Sequence, residues 1–219
     1  MAMSFLDILT LLAAGAGYTV LVTFSCIATG LVVGLTVAML TRLHLGPLDF
    51  VLAAFTYVFR GIPVLVLLFM VFFGLPAMGL SVPPLVSMML SLGLISGAYL
   101  AEVFRGALES VDANEIVAAE AMGMSRRQIL FSIEVPQMLR FAVPGMVNEF
   151  TTVLKYSPFA YTVGIPEIMK HAMVLASTTL RGVEIYLAIG LLYFAIYKLM
   201  LAGVRAVERH YAIPGFHRD

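Results

Sequence analysis

Between Ile8 and Thr41 the chain carries no Asp, Glu, Lys or Arg. Wholly helical, this stretch would be about 50 Å long at 1.5 Å per residue. A bilayer's hydrocarbon core is about 30 Å thick and takes about 20 apolar residues to cross. The run therefore reads as one long span, tilted or partly interfacial. Hydrophobic residues make up 61% of the chain and charged residues 12%, far from the balance of a soluble domain. The formal charge of zero gives no sign of a nucleic-acid partner, so the lipid bilayer is the expected surrounding. Cys26, the sole cysteine, can form no internal disulfide and reads as a small core residue. Met1 to Asp7 lack the positive start of a signal peptide, so the first apolar run is expected to be retained.

Further apolar stretches follow at about 48–74, 85–110, 136–157 and 183–207. The chain is thus expected to be an all-α membrane protein with about five transmembrane helices, a single domain over 1–219. Pro63, after Arg60-Gly61-Ile62, predicts a kink in the second span. Gly30 and Gly34, four apart, offer a small packing surface that is common by chance. Glu102 and Arg105 have the spacing of a helical ion pair. The fourth span breaks at Tyr156-Ser157-Pro158, and Gly164-Ile165-Pro166-Glu167 reads as a fresh helix start with Pro166 at its first position. Ser177 to Gly182 reads as a turn. Lys and Arg are absent from the N-terminus and the Leu75 turn, and two lie at Lys170 and Arg181. The alternate intervals carry Arg42, then Arg126 and Arg127, then Arg205, Arg209 and Arg218. This asymmetry predicts the N-terminus outside and the C-terminus in the cytoplasm.

One polar island interrupts the apolar pattern, from Asp112 to Pro136, with four acids and two arginines. Asp112 lies three residues before Glu115, and Ser125 three before Gln128, each the spacing of a capping box. Gly123 between them suits a left-handed residue that ends the first helix and turns the chain. Ile129, Leu130 and Ile133 form an apolar stripe behind Arg126 and Arg127. Two short capped helices outside the bilayer are expected, held by a partner.

The run Ala118-Ala119, three residues, Gly123, nine residues, Ile133-Glu134-Val135-Pro136 resembles the EAA loop of ABC importer permeases. Val117 stands where that family has Glu, and Val135 where it has Leu. Phe59-Arg60-Gly61-Ile62-Pro63, the stretch Gly97 to Gly106 and Gly164-Ile165-Pro166-Glu167 resemble the polar amino acid subfamily. The resemblance implies a cytoplasmic coupling loop at 111–136, in which Glu115, Ala118, Ala119, Glu120, Gly123, Arg126 and Arg127 would meet an ATPase. It also implies two ATP-binding subunits that hold ATP and magnesium, a second permease subunit (identical or sister) and an external solute-binding protein. The implied place is the cytoplasmic (inner) membrane, and the implied cargo a polar amino acid.

No phosphate-binding loop, HExxH or GxSxG motif is present, so the chain is expected to be a transport subunit without catalysis or cofactor of its own. The four histidines are scattered and read as surface residues. Charges at membrane depth are costly and mark pathways or structural pairs. Arg60, Glu149 and Lys155 have both readings open: lining of a polar path, or ion pairs and snorkelling between spans. With Gly61, Tyr99, Tyr156 and Ser157 they form the candidate substrate path. Leu154-Lys155-Tyr156-Ser157-Pro158 aligns with Leu-Lys-Asp-Thr-Ser in similar permeases, so Tyr156 replaces an acid. A secondary transporter driven by an ion gradient would also suit the broken fourth span and a buried Lys155, but lacks a second related half. A membrane scaffold would leave the broken helices unexplained.

Overall fold

A computed structural model describes residues 3–43 and 46–211, with side chains as far as 206. His44, Leu45 and the tail from 212, including His217 and Arg218, lie outside the described residues. Every regular element among the described residues is a helix. Helix α1 (Phe5–Ala13) is short and amphipathic. The Ser4 backbone N–H and hydroxyl both donate to Asp7 at 2.8 Å, which holds its carboxyl below the ordinary carboxylate range. Helix α2 (Ala16–Arg42) takes the rest of the uncharged run, so the expected single span is divided at Gly15. The hydroxyls of Thr23, Thr29, Thr36 and Thr41 each donate to the carbonyl four residues back. Each polar group is thereby satisfied inside the helix, as an apolar solvent requires.

Helix α3 (Pro47–Gly61) stops at Ile62-Pro63, where Ile62 is extended, and α4 (Val64–Ala77) leaves at 104°. Pro63 thus ends a helix and does not merely kink one. Helix α5 (Pro84–Glu109) is more deeply buried than α2 or the apolar stretch Gly182–Ala206. The α2–α5 seam is built on small residues. A Cβ on Gly34 would lie 2.7 Å from Leu100 Cβ, and one on Gly30 2.8 Å from Ser96 Oγ. The glycine pair is therefore a true packing surface, letting two backbones approach where side chains would hold them apart.

Helices α6 (Ala113–Ala121) and α7 (Arg126–Ile129) form the polar island. A π turn, Leu130–Glu134, carries the chain without interruption into α8 (Val135–Tyr156). After a 3₁₀ turn (Ser157–Val163) and left-handed Gly164, helix α9 (Ile168–Thr179) begins. Its N-cap is Glu167, so Pro166 precedes the helix and does not open it. Only Leu180 and Arg181 separate α9 from α10 (Gly182–Tyr211).

Among the described residues α2, α5 and the 182–206 part of α10 are long and apolar enough to cross a membrane, and the bent α3–α4 pair makes a fourth if counted as one span. Helix α8, with 22 residues, is about 33 Å long but carries Arg140, Glu149 and Lys155. Two apolar cores lie along α2, α5 and α8, one around Leu68, Met88, Leu92 and Val153, the other around Leu100, Phe104 and Met138. A third joins α1, α9 and α10 through Ile8, Leu12, Ile168 and Ile185.

Candidate functional site

The island folds from local signals. Ser125 and Gln128 form the reciprocal capping box: Ser125 N donates to Gln128 Oε1 at 2.8 Å and Gln128 N to Ser125 Oγ at 3.4 Å. Gly123 has φ +80°. Its N–H reaches Glu120 O at 2.9 Å, and Met124 N reaches Ala119 O at 3.1 Å, the paired closure of a helix end that needs a left-handed residue. The first helix is capped differently from the expected box. Asp112 accepts from Asn114 N at 2.9 Å, while the Glu115 carboxylate accepts from Gln137 Nε2 in the first turn of α8.

That contact decides which island residues face outward. Glu115 is engaged within the chain, and Ala119 is buried against it. Ala118, Glu120, Arg126 and Arg127 are exposed, and no described residue answers the last three with a side-chain bond. Val117 and Met122 protrude at 62% and 84% exposure. Ile129 and Leu130, both buried, root the second helix. The result is a knob with an apolar tip, flanked by one acid and two arginines, on a backbone locked by its caps.

The second candidate region lies along α8. Residues seven apart on a helix share a face to within about 20°, so Asn148 pairs with Lys155 and Glu149 with Tyr156. Asn148, Thr151, Lys155, Tyr193 and Tyr197 line a cleft of about 680 Å³ between α8 and α10. No carboxylate lines it, and Lys155 has no ion-pair partner among the described residues. Glu149 is buried on the neighbouring flank beside Ser96 of α5. Tyr156, 40% exposed, stacks on Phe159 at 5.8 Å between ring centres. Ser157 is fully buried, donating to Leu154 O at 2.9 Å, so it supports the cleft wall and does not line it.

Arg60 and Gly61 end α3. The Arg60 guanidinium lies 5.3 Å over the Tyr99 ring and 3.8 Å from Glu102 Oε2, and Tyr99 donates to Arg60 O at 3.4 Å. Glu102 pairs with Arg105 at 2.6 Å, as the spacing predicts, and Arg105 with Glu109 at 2.7 Å. Arg60 and Tyr99 therefore form a charged cluster with α5, separate from the Lys155 cleft. Two buried carboxylates escaped the sequence reading. Glu134 meets Arg42, and Glu167 meets Thr19 and Tyr193. No local pattern signals partners so far apart in the chain. Among the described residues no group of three His, Cys, Asp or Glu could hold a metal ion.

Residues 30–213 match the family of binding-protein-dependent transport system inner membrane components. The chain is 30% identical over 198 residues to the probable amino-acid ABC transporter permease protein YckA of Bacillus subtilis, covering 90% of this chain and 88% of that one. It is 30% identical over 212 residues to the histidine/lysine/arginine/ornithine transport system permease protein HisQ of Escherichia coli, covering 91% and 92%. In structure it is similar to a chain of an amino acid ABC transporter crystallised with histidines, with TM-score 0.85 and 28% identity over 96% of this chain and all of that one. The MetNI methionine ABC transporter in an inward-facing form shares the fold, with TM-score 0.77 and 22% identity over 93% and 97%.

Proposed function

From the premise that the chain belongs to the binding-protein-dependent transport system inner membrane components, we propose that it moves a polar amino acid or close analogue across the cytoplasmic membrane, driven by ATP. It is a multi-pass ABC importer permease, a non-enzymatic membrane subunit that works with ATP-binding partners. In our reading two such partners hold and hydrolyse ATP with magnesium, and this chain holds neither. The observation that carries the reading is the capped island, whose exposed Val117, Met122, Arg126 and Arg127 have no use within the described chain. A second permease, identical or sister, would cover the exposed polar face of α8, where Asn148 and Lys155 are otherwise set against lipid at high cost. An external solute-binding protein would deliver the cargo. The arginine asymmetry supports an N-terminus outside and a C-terminus inside.

The cleft supports a substrate class. Lys155 offers a cation for the carboxylate of an amino acid, while Tyr156, outside the cleft lining and on the neighbouring flank with Glu149, stands where similar permeases carry an acid. A neutral or acidic side chain fits this pair, or a sister subunit supplies the acid for a basic one. Reconstitution tests both levels. The chain should purify in mild detergent with a stoichiometric ATPase and take up amino acid only with ATP and binding protein. Uptake by the chain alone on a proton or sodium gradient would replace this reading with a secondary transporter. Tyr156→Asp should shift preference toward basic amino acids, and unchanged preference would place selection elsewhere. Impermeant thiol labelling on a Cys26→Ala background should reach Ser81→Cys from outside and spare Ser125→Cys. The reverse result would invert the topology.

A further inference from the structure

We propose that the Arg42–Glu134 ion pair is the latch that makes α2 move with the island. Glu134 is fully buried at the end of the π turn that joins α7 to α8. Arg42 is the last residue of α2, with its side chain a quarter exposed. Its Nε donates to Glu134 Oε1 at 3.2 Å, and Nη2 donates to the same oxygen. The other oxygen, Oε2, is buried and has no partner among the described residues. Arg42 is thus the one cation the structure sets against this carboxylate among the described residues.

Two further connections make the pair mechanical. On the island side, Glu115 accepts from Gln137, and the chain runs from α7 to α8 as continuous helix, so α6, α7 and the base of α8 form one body. On the other side, α2 lies close against α5 along the glycine seam, where a Cβ on Gly34 or Gly30 would fall 2.7 or 2.8 Å from α5 atoms, and α5 itself packs on α8 through Phe104 and Met138. Apolar side chains between α8 and α2 can slide past one another at small cost. A charge pair withdrawn from water cannot, because separation leaves a buried carboxylate unpaired. A push on the island therefore reaches α2 through Glu134 and Arg42.

The proposal rests on the ATP-driven reading, and the test separates the two. In proteoliposomes holding the full transporter, amino acid taken up per ATP hydrolysed is measured. The radiolabelled probe is whichever of L-glutamine, L-histidine, L-arginine or L-cystine the wild type transports. The double variant Arg42→Met/Glu134→Leu leaves no unpaired buried charge, and Arg42→Lys keeps the cation. The double variant should lower the ratio about fivefold or more, the lower bound of typical coupling between sites, while binding protein still stimulates its ATPase. Arg42→Lys should stay near the wild-type ratio. A merely structural defect reduces active transporter and lowers both rates together, leaving the ratio unchanged, and that result overturns the latch. So does an Arg42→Lys ratio as low as that of the double variant. A wild-type transporter without ATP-dependent uptake would overturn the functional reading itself, and the latch with it.

Discussion

Glu134 and Glu167 are both fully buried, yet the chain answers them in opposite ways. Glu134, near the end of the island, meets one cation and keeps an unpartnered oxygen. Glu167, at the start of α9, meets neutral donors only. It accepts from Met169 N and Lys170 N at 2.8 Å each, from Tyr193 OH at 2.7 Å and from Thr19 Oγ1 at 3.5 Å. The first arrangement concentrates attraction in one contact between two elements. The second spreads it over α2, α9 and α10 and adds the positive end of a helix dipole. A concentrated charge pair suits elements that must move together, since it resists separation yet tolerates a common displacement. A carboxylate caged by several donors suits a fixed junction, because any displacement strains several hydrogen bonds at once.

The largest effect should come from stranding the concentrated pair. Arg42→Ala leaves Glu134 buried without a cation and should destabilise the permease by about 3 kcal/mol, the low end for one partner of a buried pair because Arg42 is partly exposed. Unfolding of the purified protein by SDS titration measures this. Adding Glu134→Leu should recover most of the loss. Glu167→Ala should come next, at about 2 kcal/mol, through a lost cap and stranded donors. The comparison is sharpest in the amides. Glu167→Gln keeps one acceptor oxygen for Met169 N, Tyr193 and Thr19, loses the bond from Lys170 N and should cost about 1 kcal/mol, whereas Glu134→Gln removes the counter-charge of Arg42 and should cost more. Equal losses in the two amide variants would break the distinction drawn here.

The island itself should fail in function before it fails in stability. Gly123→Val forces a β-branched residue into a left-handed conformation, a strain of about 1–3 kcal/mol, and should uncouple ATPase from uptake while the protein still reaches the membrane. Full coupling in this variant would remove the island from the transmission path. Val117→Glu, on an exposed position, should be the smallest change, within about 0.5 kcal/mol, with uptake retained.

What could be read from residue order alone was local. The uncharged run from Ile8 demanded a membrane. Pro63 stopped a helix because it lacks a donor and restricts Ile62. Ser125, Gln128 and Gly123 set the second cap and the bend, since their partners lie within a few residues. The same logic misassigned Glu115: its local box with Asp112 lost to Gln137, which only the return of α8 brings near. Helical phase was equally hidden. Lys155 and Ser157 are two residues apart, yet one faces a cleft and the other is sealed behind it, because α8 is rotated by its packing against α5. The glycine seam is legible as small residues but not as a contact until α5 lies on it. Arg42 and Glu134 stand 92 positions apart, and Thr19 and Glu167 148. Backbone preference acts over a few residues, so it determines where helices begin, bend and stop. Which buried charges meet is decided only when the tertiary fold withdraws them together from water.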